Sequence, residues 1–150
     1  SLGVKLKLSP TKTIVENKSI ILIDDSLVRG TTCHKIVKML YESGAKEVHV
    51  RIACPEIKFP DFYGVDMPTK EELLAHNKNN IEMCEHIKAK SLKFLSLKGL
   101  YKALIGAERN SNYPQFSDHY FTGDYPIKPH DNLQGLKVKQ LSLLSGKSNS

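Results

Sequence analysis

Two adjacent carboxylates, Asp24 and Asp25, have the clearest chemical potential in this sequence, and they directly follow an apolar run that ends at Ile23. Like charges a few ångströms apart repel each other, and burial makes that repulsion worse. A nearby cation or polyhydroxylated ligand would relieve it, since vicinal hydroxyls donate to carboxylates and Mg²⁺ takes oxygen ligands. The pair therefore indicates a site for a sugar diol, held directly or through a metal.

The turn after this acid pair has the composition of a phosphate-binding loop. It offers successive backbone N–H groups, hydroxyls and the start of a helix, which together match an anion nest, and Gly30 lets the backbone approach a ligand closely. Arg29 fits either a cover for the phosphate or a solvated loop residue. The candidate binding residues are Asp24, Asp25, Ser26, Leu27, Val28, Arg29, Gly30, Thr31 and Thr32, with Asp24 and Asp25 as candidate metal ligands.

Two other interpretations of this stretch are weaker. The turn holds a single glycine, so it is neither the G-x-x-x-x-G-K-[ST] loop nor the G-x-G-x-x-G turn. Adjacent Cys33 and His34 do not predict an activated nucleophile, because neighbouring residues on a helix point in different directions. An acid pair at a strand end can also be a solvated turn or a helix cap, so it carries meaning only within its strand-loop-helix context.

The surrounding pattern predicts an α/β fold with a parallel sheet flanked by helices. Residues 20–23 are continuously apolar, which is typical of a strand covered on both faces. Thr31 or Thr32 is predicted to cap the next helix, and residues 47–53 alternate as a second strand of a β-α-β unit. Ligands of such sheets bind beyond the carboxyl ends of the strands, which is where the acid pair lies.

Further elements follow along the chain. Residues 54–68 hold three prolines and a glycine and are predicted to form a loop, which either approaches the ligand or packs the domain edge. Thr69 and Glu72 match a capping box for a short helix. Residues 81–87 are predicted to be helical, 92–95 a third strand, and a helix is predicted to start at Ser96.

The organisation predicted is an α/β portion over 1–105, a turn-rich extension packed on it over 106–132, and a partly disordered tail over 133–150. Residues 4–8 are compatible with a short strand, and the leucines between Leu136 and Leu144 with a cap on a domain or subunit surface.

Bulk composition narrows the function classes. The chain has 150 residues, 40% of them hydrophobic and 25% charged, as in one soluble globular domain or part of a larger one. No stretch approaches the roughly 18 apolar residues of a membrane span. The net charge of +6 favours phosphate ligands, but the lysines are dispersed, so neither a nucleic acid nor a membrane is expected as a partner. Three cysteines, an odd number, favour a reducing compartment, the cytoplasm.

The order apolar strand, Asp-Asp, short loop, Gly-Thr-Thr and helix resembles the phosphoribosyl-pyrophosphate (PRPP) motif of type I phosphoribosyltransferases. The segments "LGVKLKLSP", "ESGAKEVHVRIACPEIKFPDFYGVDMPTKEELLAHN", "FLSLKGLYKAL" and "FTGDYP" resemble the glutamine PRPP amidotransferase family, from about Leu2 to Pro126. The resemblance implies a partial type I phosphoribosyltransferase fold with an irregular C-terminal extension. It also implies transfer of glutamine-derived ammonia to PRPP with Mg²⁺, giving 5-phosphoribosylamine in the first step of purine synthesis. Asp24 and Asp25 would then be the metal and ribose acids, and 26–32 the 5′-phosphate loop.

The resemblance also implies what this chain lacks. Family members have an N-terminal glutaminase domain, a pyrophosphate-binding loop and a mobile loop, and nothing here corresponds to them. The chain thus resembles the C-terminal part of the enzyme, expected to be inactive alone, with PRPP, purine nucleotides, the missing glutaminase part and further copies of itself as partners. Some members carry an iron–sulfur cluster. Its cysteine positions correspond here to Asp61, Tyr113 and Phe116, so no cluster is expected.

Two alternatives remain at this stage. One is a non-catalytic PRPP- or nucleotide-binding module or regulator, although no DNA-binding segment is visible. The other is a phosphoribosyltransferase acting on a free base, which would require a base-recognition hood; the matches outside the PRPP motif count against it.

Overall fold

The structure is a computed structural model that describes residues 12–127, and it contains a three-stranded parallel sheet in the order β1-β2-β3. A 3₁₀ turn covers Lys70–Glu72. The remaining elements, in chain order, are α1 (Lys12–Val15), β1 (Ser19–Asp24), α2 (Thr31–Glu42), β2 (Glu47–Ile52), α3 (Leu74–Asn77), α4 (Asn80–His86), β3 (Ser91–Phe94), α5 (Leu97–Ile105) and α6 (His119–Thr122).

The predicted β-α-β unit is present. β1 and β2 are parallel and in register from Ser19 opposite Glu47 to Asp24 opposite Ile52, with α2 as the crossover between them. The loop over 54–68, the capping box of Thr69 and Glu72, and the helix near 81–87 are also where the sequence places them. The expectations for residues 4–8 and for 133–150, including the leucines from Leu136 to Leu144, lie outside the described residues.

The core lies between one face of the sheet and the helices α2 and α4. Alternation along β2 directs every second side chain into it, so that Val48, Val50 and Ile52 are all buried. β3 contributes Leu92 in the same layer, opposite Val50. The helices supply the other half of this cluster, with Cys33, Val37 and Leu40 from α2 and Met83 and Ile87 from α4 and its end.

The prediction that β1 is covered on both faces is wrong. Ile21 and Ile23 are 64% and 73% exposed, whereas Ile20 and Leu22 pack against the core cluster. The core helices lie on the face that carries Val48 and Val50, and successive strand residues point to opposite faces. Within residues 12–127, an apolar run in β1 therefore has one buried and one open side.

Residues 106–127 are mostly irregular, with α6 as their one short helix in the described part of the chain. Among residues 12–127, no helix is long and apolar enough to cross a membrane.

Candidate substrate-binding site

The predicted binding residues come together around one cavity at the carboxyl end of β1. The cavity has a volume of about 370 Å³. Its lining consists of Asp24, Asp25, Ser26, Leu27, Val28, Arg29, Gly30, Thr31, Thr32, Cys33 and Pro68. All the residues proposed from the sequence thus lie at the site, and the structure adds Cys33 and Pro68.

Local hydrogen bonds fix the two acids. The backbone N–H of Asp25 donates to Oδ1 of Asp24 at 3.0 Å, and the hydroxyl of Ser26 donates to Oδ1 of Asp25 at 3.0 Å. Each bond involves one oxygen of its carboxylate, so the second oxygen is available to a ligand. Mg²⁺ commonly binds one or two carboxylates and completes its shell with water and substrate oxygens, so this donor set fits the ion. Residues 12–127 hold no cluster of three or more potential metal-ligating side chains.

Gly30 shapes the turn between the acids and α2. Its φ of +78° is in the left-handed region, which glycine adopts without steric cost. A Cβ at this position would lie 2.8 Å from Cδ2 of Leu74 and 3.2 Å from Cδ2 of His86, so the backbone also approaches its neighbours closely.

The prediction that Thr31 or Thr32 caps α2 is wrong. The N-cap residue is Gly30, and no side chain makes the capping hydrogen bond. The left-handed turn at Gly30 starts the helix one residue early, so both threonines lie in its first turn. Their side chains are exposed at the cavity, where hydroxyls and unpaired amides of a helix start can receive an anion.

Arg29 lines the cavity and its side chain is 53% exposed, so both interpretations of this residue, a cover for the phosphate and a solvated loop residue, stay open. Its Nη2 atom is 3.0 Å from Oε1 of Glu72. The segment around Glu72 is held against the turn, because the N–H of Leu74 donates to the carbonyl of Val28 at 2.9 Å. The sequence predicts the capping role of Glu72 but gives no sign of its contact with Arg29 in the turn.

Cys33 and His34 do not form a nucleophile and base. Cys33 is buried, and its burial, together with the charge of Asp24, raises the pKa of the thiol to about 11. The Nδ1 atom of His34 lies 3.1 Å from the carbonyl oxygen of His86, across the interface of α2 with the end of α4. The thiol remains protonated at neutral pH, and the histidine joins two helices.

Asp61 organises the loop over 54–68. Its Oδ2 atom accepts the N–H groups of Tyr63 and Val65, each at 2.8 Å. Its Oδ1 atom accepts Nε2–H of His119 at 2.9 Å and the hydroxyl of Tyr120 at 3.1 Å. Burial opposes ionisation, but these four hydrogen bonds outweigh it and lower the pKa of Asp61 to about 2.

The loop and the chain after 116 therefore form one packed unit. The side chains of Asp61 and His119 are only 1% and 2% exposed. The backbone N–H groups of Lys58 and Phe59 both donate to the carbonyl of Tyr120, and the Tyr125 hydroxyl donates to Pro60. The middle of the loop thus packs the domain edge, and its end at Pro68 lines the cavity. The approach of this loop to a ligand stays a prediction.

A second buried network joins α5 to the irregular segment. Asp118 accepts the hydroxyl of Tyr101 at 2.8 Å and forms an ion pair with Arg109, which also contacts Asp124. Asp118 and Tyr101 are buried, so these bonds fix the segment from Arg109 onwards against the sheet domain.

Curated proteins similar to this chain include amidophosphoribosyltransferases. The chain is 51% identical over 144 residues to an amidophosphoribosyltransferase of Rhizobium etli, a match covering 95% of this chain and 29% of that protein. An amidophosphoribosyltransferase of Staphylococcus aureus is 50% identical over 129 residues, covering 86% and 26%. The chain spans less than a third of the length of these relatives. No protein-family model matches it.

Solved structures agree with the fold. One is described as the glutamine PRPP amidotransferase from B. subtilis complexed with ADP and GMP; it has a TM-score of 0.74 and 41% identity, over 87% of this chain and 30% of that one. Another, described as the allosteric regulatory enzyme of purine biosynthesis, has a TM-score of 0.72 and 44% identity, over 81% and 26%. The predicted fold class, a parallel sheet flanked by helices as in a partial phosphoribosyltransferase fold, is confirmed.

Proposed function

Because this chain is homologous to amidophosphoribosyltransferases over most of its length, we propose that it supplies part of the PRPP site of such an enzyme. The reaction is transfer of glutamine-derived ammonia to PRPP, giving 5-phosphoribosylamine and pyrophosphate, the first step of de novo purine synthesis. The observation that carries the proposal is the cavity at β1, whose lining contains every residue from Asp24 to Thr32.

Each part of the cavity has a task in this reaction. The free N–H groups and hydroxyls at the start of α2 hold the 5′-phosphate, where the helix dipole favours negative charge. Asp24 and Asp25 accept hydrogen bonds from the ribose diol and orient the sugar. Their remaining oxygens are also the ligands that would hold Mg²⁺, which when bound neutralises charge on the departing pyrophosphate.

Other roles extend the same proposal beyond this chain. Glutamine hydrolysis is proposed to belong to a glutaminase part outside these 150 residues, and the 150 residues by themselves are proposed to bind PRPP without turning it over. Purine nucleotides are proposed as further ligands, which is supported by the ADP and GMP named for the B. subtilis relative. We also propose that the complete enzyme associates with copies of itself and is located in the cytoplasm. The division into 1–105, 106–132 and 133–150 is proposed with it.

Calorimetric titration of PRPP into the purified 150-residue chain, with and without Mg²⁺, tests the proposal. We expect binding that depends on Mg²⁺ and falls at least about tenfold in an Asp24→Asn/Asp25→Asn variant, since two ligands of the diol and metal are lost. A Glu42→Gln/Glu85→Gln variant removes the same number of charges from exposed helical positions, so it should bind like the unmodified chain.

The outcomes separate the candidate functions. A folded chain that does not bind PRPP, or an acid-pair variant that binds it equally well, would overturn the proposed site. Pyrophosphate release on addition of an ammonium salt would show that the chain is catalytic by itself. Mg²⁺-dependent binding without release is the expected result, and it also describes the alternative of a non-catalytic PRPP-binding module. Adding a relative's glutaminase part and measuring pyrophosphate release then decides between part of an enzyme and a non-catalytic binding module.

A further inference from the structure

Arg29 is the basic side chain in the lining of the proposed PRPP-binding cavity. The lining described above contains two aspartates and one basic side chain, so its formal charge is negative although the proposed ligand is an anion. A ligand phosphate at this turn therefore depends on Arg29 for charge compensation by a side chain, beyond what the backbone amides of the turn provide.

This guanidinium is paired with a carboxylate. Its Nη2 atom lies 3.0 Å from Oε1 of Glu72, and the two side chains are 53% and 47% exposed. Glu72 does not line the cavity, so it partly neutralises the positive charge of Arg29 from outside the site.

Glu72 is held in position to make this contact. Its other oxygen, Oε2, accepts the backbone N–H of Thr69 at 3.1 Å as part of the capping box. The Thr69 amide, and with it the charge of Arg29, lowers the pKa of Glu72 despite partial desolvation, so the carboxylate is ionised at neutral pH. The bond from Leu74 N–H to the carbonyl of Val28 keeps the whole segment against the turn.

From this geometry we propose that Glu72 competes with the ligand phosphate for Arg29 and thereby weakens phosphate binding at the turn. The inference rests on the proposed function of the cavity. When phosphate enters, the guanidinium exchanges one contact with Glu72 for charge-assisted hydrogen bonds to phosphate oxygens, which it can make in pairs. Glu72 loses its partner but keeps the Thr69 amide and its contact with water. Glu72 thus tunes the affinity of the site, so that the phosphate is released more readily.

The test compares Glu72→Gln with the unmodified chain, using ribose 5-phosphate as the probe in calorimetric titrations at constant ionic strength. Glutamine also completes a capping box, so the variant retains its local structure while losing the charge. We expect ribose 5-phosphate to bind about two- to fivefold more tightly, the range that an exposed ion pair corresponds to.

A matched control isolates the contact from the general loss of charge. Glu71→Gln removes a neighbouring carboxylate for which the structure gives no contact with Arg29, and its dissociation constant should change by less than that of Glu72→Gln. In an Arg29→Gln background, adding Glu72→Gln should produce no more gain than adding Glu71→Gln, because there is no guanidinium to release.

Three results would overturn the inference. Equal binding by Glu72→Gln would mean that the contact has no effect on affinity, and weaker binding would mean that the carboxylate positions Arg29 instead of competing for it. An undiminished gain in the Arg29→Gln background would reduce the effect to bulk charge. Failure of every chain, including the unmodified one, to bind ribose 5-phosphate would overturn the 5′-phosphate site at the turn and the inference with it, whereas failure to bind PRPP as well would overturn the proposed function.

Discussion

At the scale of single residues, Asp61 links two distant parts of the chain. Its four hydrogen bonds join the loop over 54–68 to His119 and Tyr120, and both oxygens are fully used. We expect Asp61→Asn to lower the melting temperature, because the amide nitrogen would face donors and leave some of them unpaired. Thermal unfolding monitored by circular dichroism measures the melting temperature.

Asp66→Asn is the matched control for that variant, since it makes the same chemical change at an exposed position in the same loop. It should leave the melting temperature nearly unchanged. If both variants melt together, the hydrogen bonds of Asp61 contribute nothing to stability.

The depressed pKa of Asp61 also has a consequence for acid stability. Its folded pKa of about 2 lies below the ordinary value of 3.8, so the folded state binds this proton less readily than the unfolded state. The contribution of Asp61 is therefore fully present above about pH 5 and is lost as the pH falls towards about 2. Melting temperatures measured across this range should fall less steeply for Asp61→Asn. A parallel decline in both proteins would contradict the assignment.

At the scale of elements, the junction of β1, the turn and α2 depends on Gly30. We expect Gly30→Ala to destabilise the chain and to weaken ribose 5-phosphate binding. The added Cβ would be strained at a φ of +78° and would displace Leu74, which packs beneath the turn. Urea unfolding and the titration used above measure the two effects.

Gly106→Ala separates the two causes. Gly106 has a similar backbone conformation, with φ of +67°, but a Cβ there meets nothing within 4 Å. Gly106→Ala should lower the free energy of unfolding only by the cost of a left-handed backbone conformation at alanine, about 1–2 kcal/mol. Gly30→Ala should lower it by more. Equal losses would show that Leu74 yields without cost.

What the sequence predicts at this scale depends on how local the determining contacts are. The acid pair, the turn and the capping box of Thr69 are contiguous patterns, and each was predicted with its residues. The partners of Asp61 and Arg29 come from other segments brought close by the fold, and no spacing rule points to them. The predicted threonine cap is wrong for a related reason. Hydroxyls near a helix start match a cap in sequence, but the N-cap is the left-handed Gly30, so the helix already begins at Thr31.

At the scale of the whole molecule, the parallel sheet has one layer of core helices in the described part of the chain. Parallel strands are usually covered on both faces, and their sequences are then continuously apolar. Residues 20–23 carry that sequence signature, yet Ile21 and Ile23 are largely exposed. The pattern therefore predicts cover on two faces of the sheet, whereas residues 12–127 supply cover on one.

This arrangement predicts very different effects for the same substitution on the two faces of the sheet. Ile52 is 3% exposed and Ile23 is 73% exposed, and both are β-branched residues near the end of a parallel strand. Ile52→Ala should lower the free energy of unfolding by about 2–5 kcal/mol through lost packing and a cavity. Ile23→Ala should change the free energy of unfolding by at most about 0.5 kcal/mol, since little burial is lost. Both variants lose the preference of isoleucine for strands, so that loss does not contribute to the difference between them. Urea unfolding of both variants measures the difference. A comparable loss in Ile23→Ala would show that the open face is covered in solution.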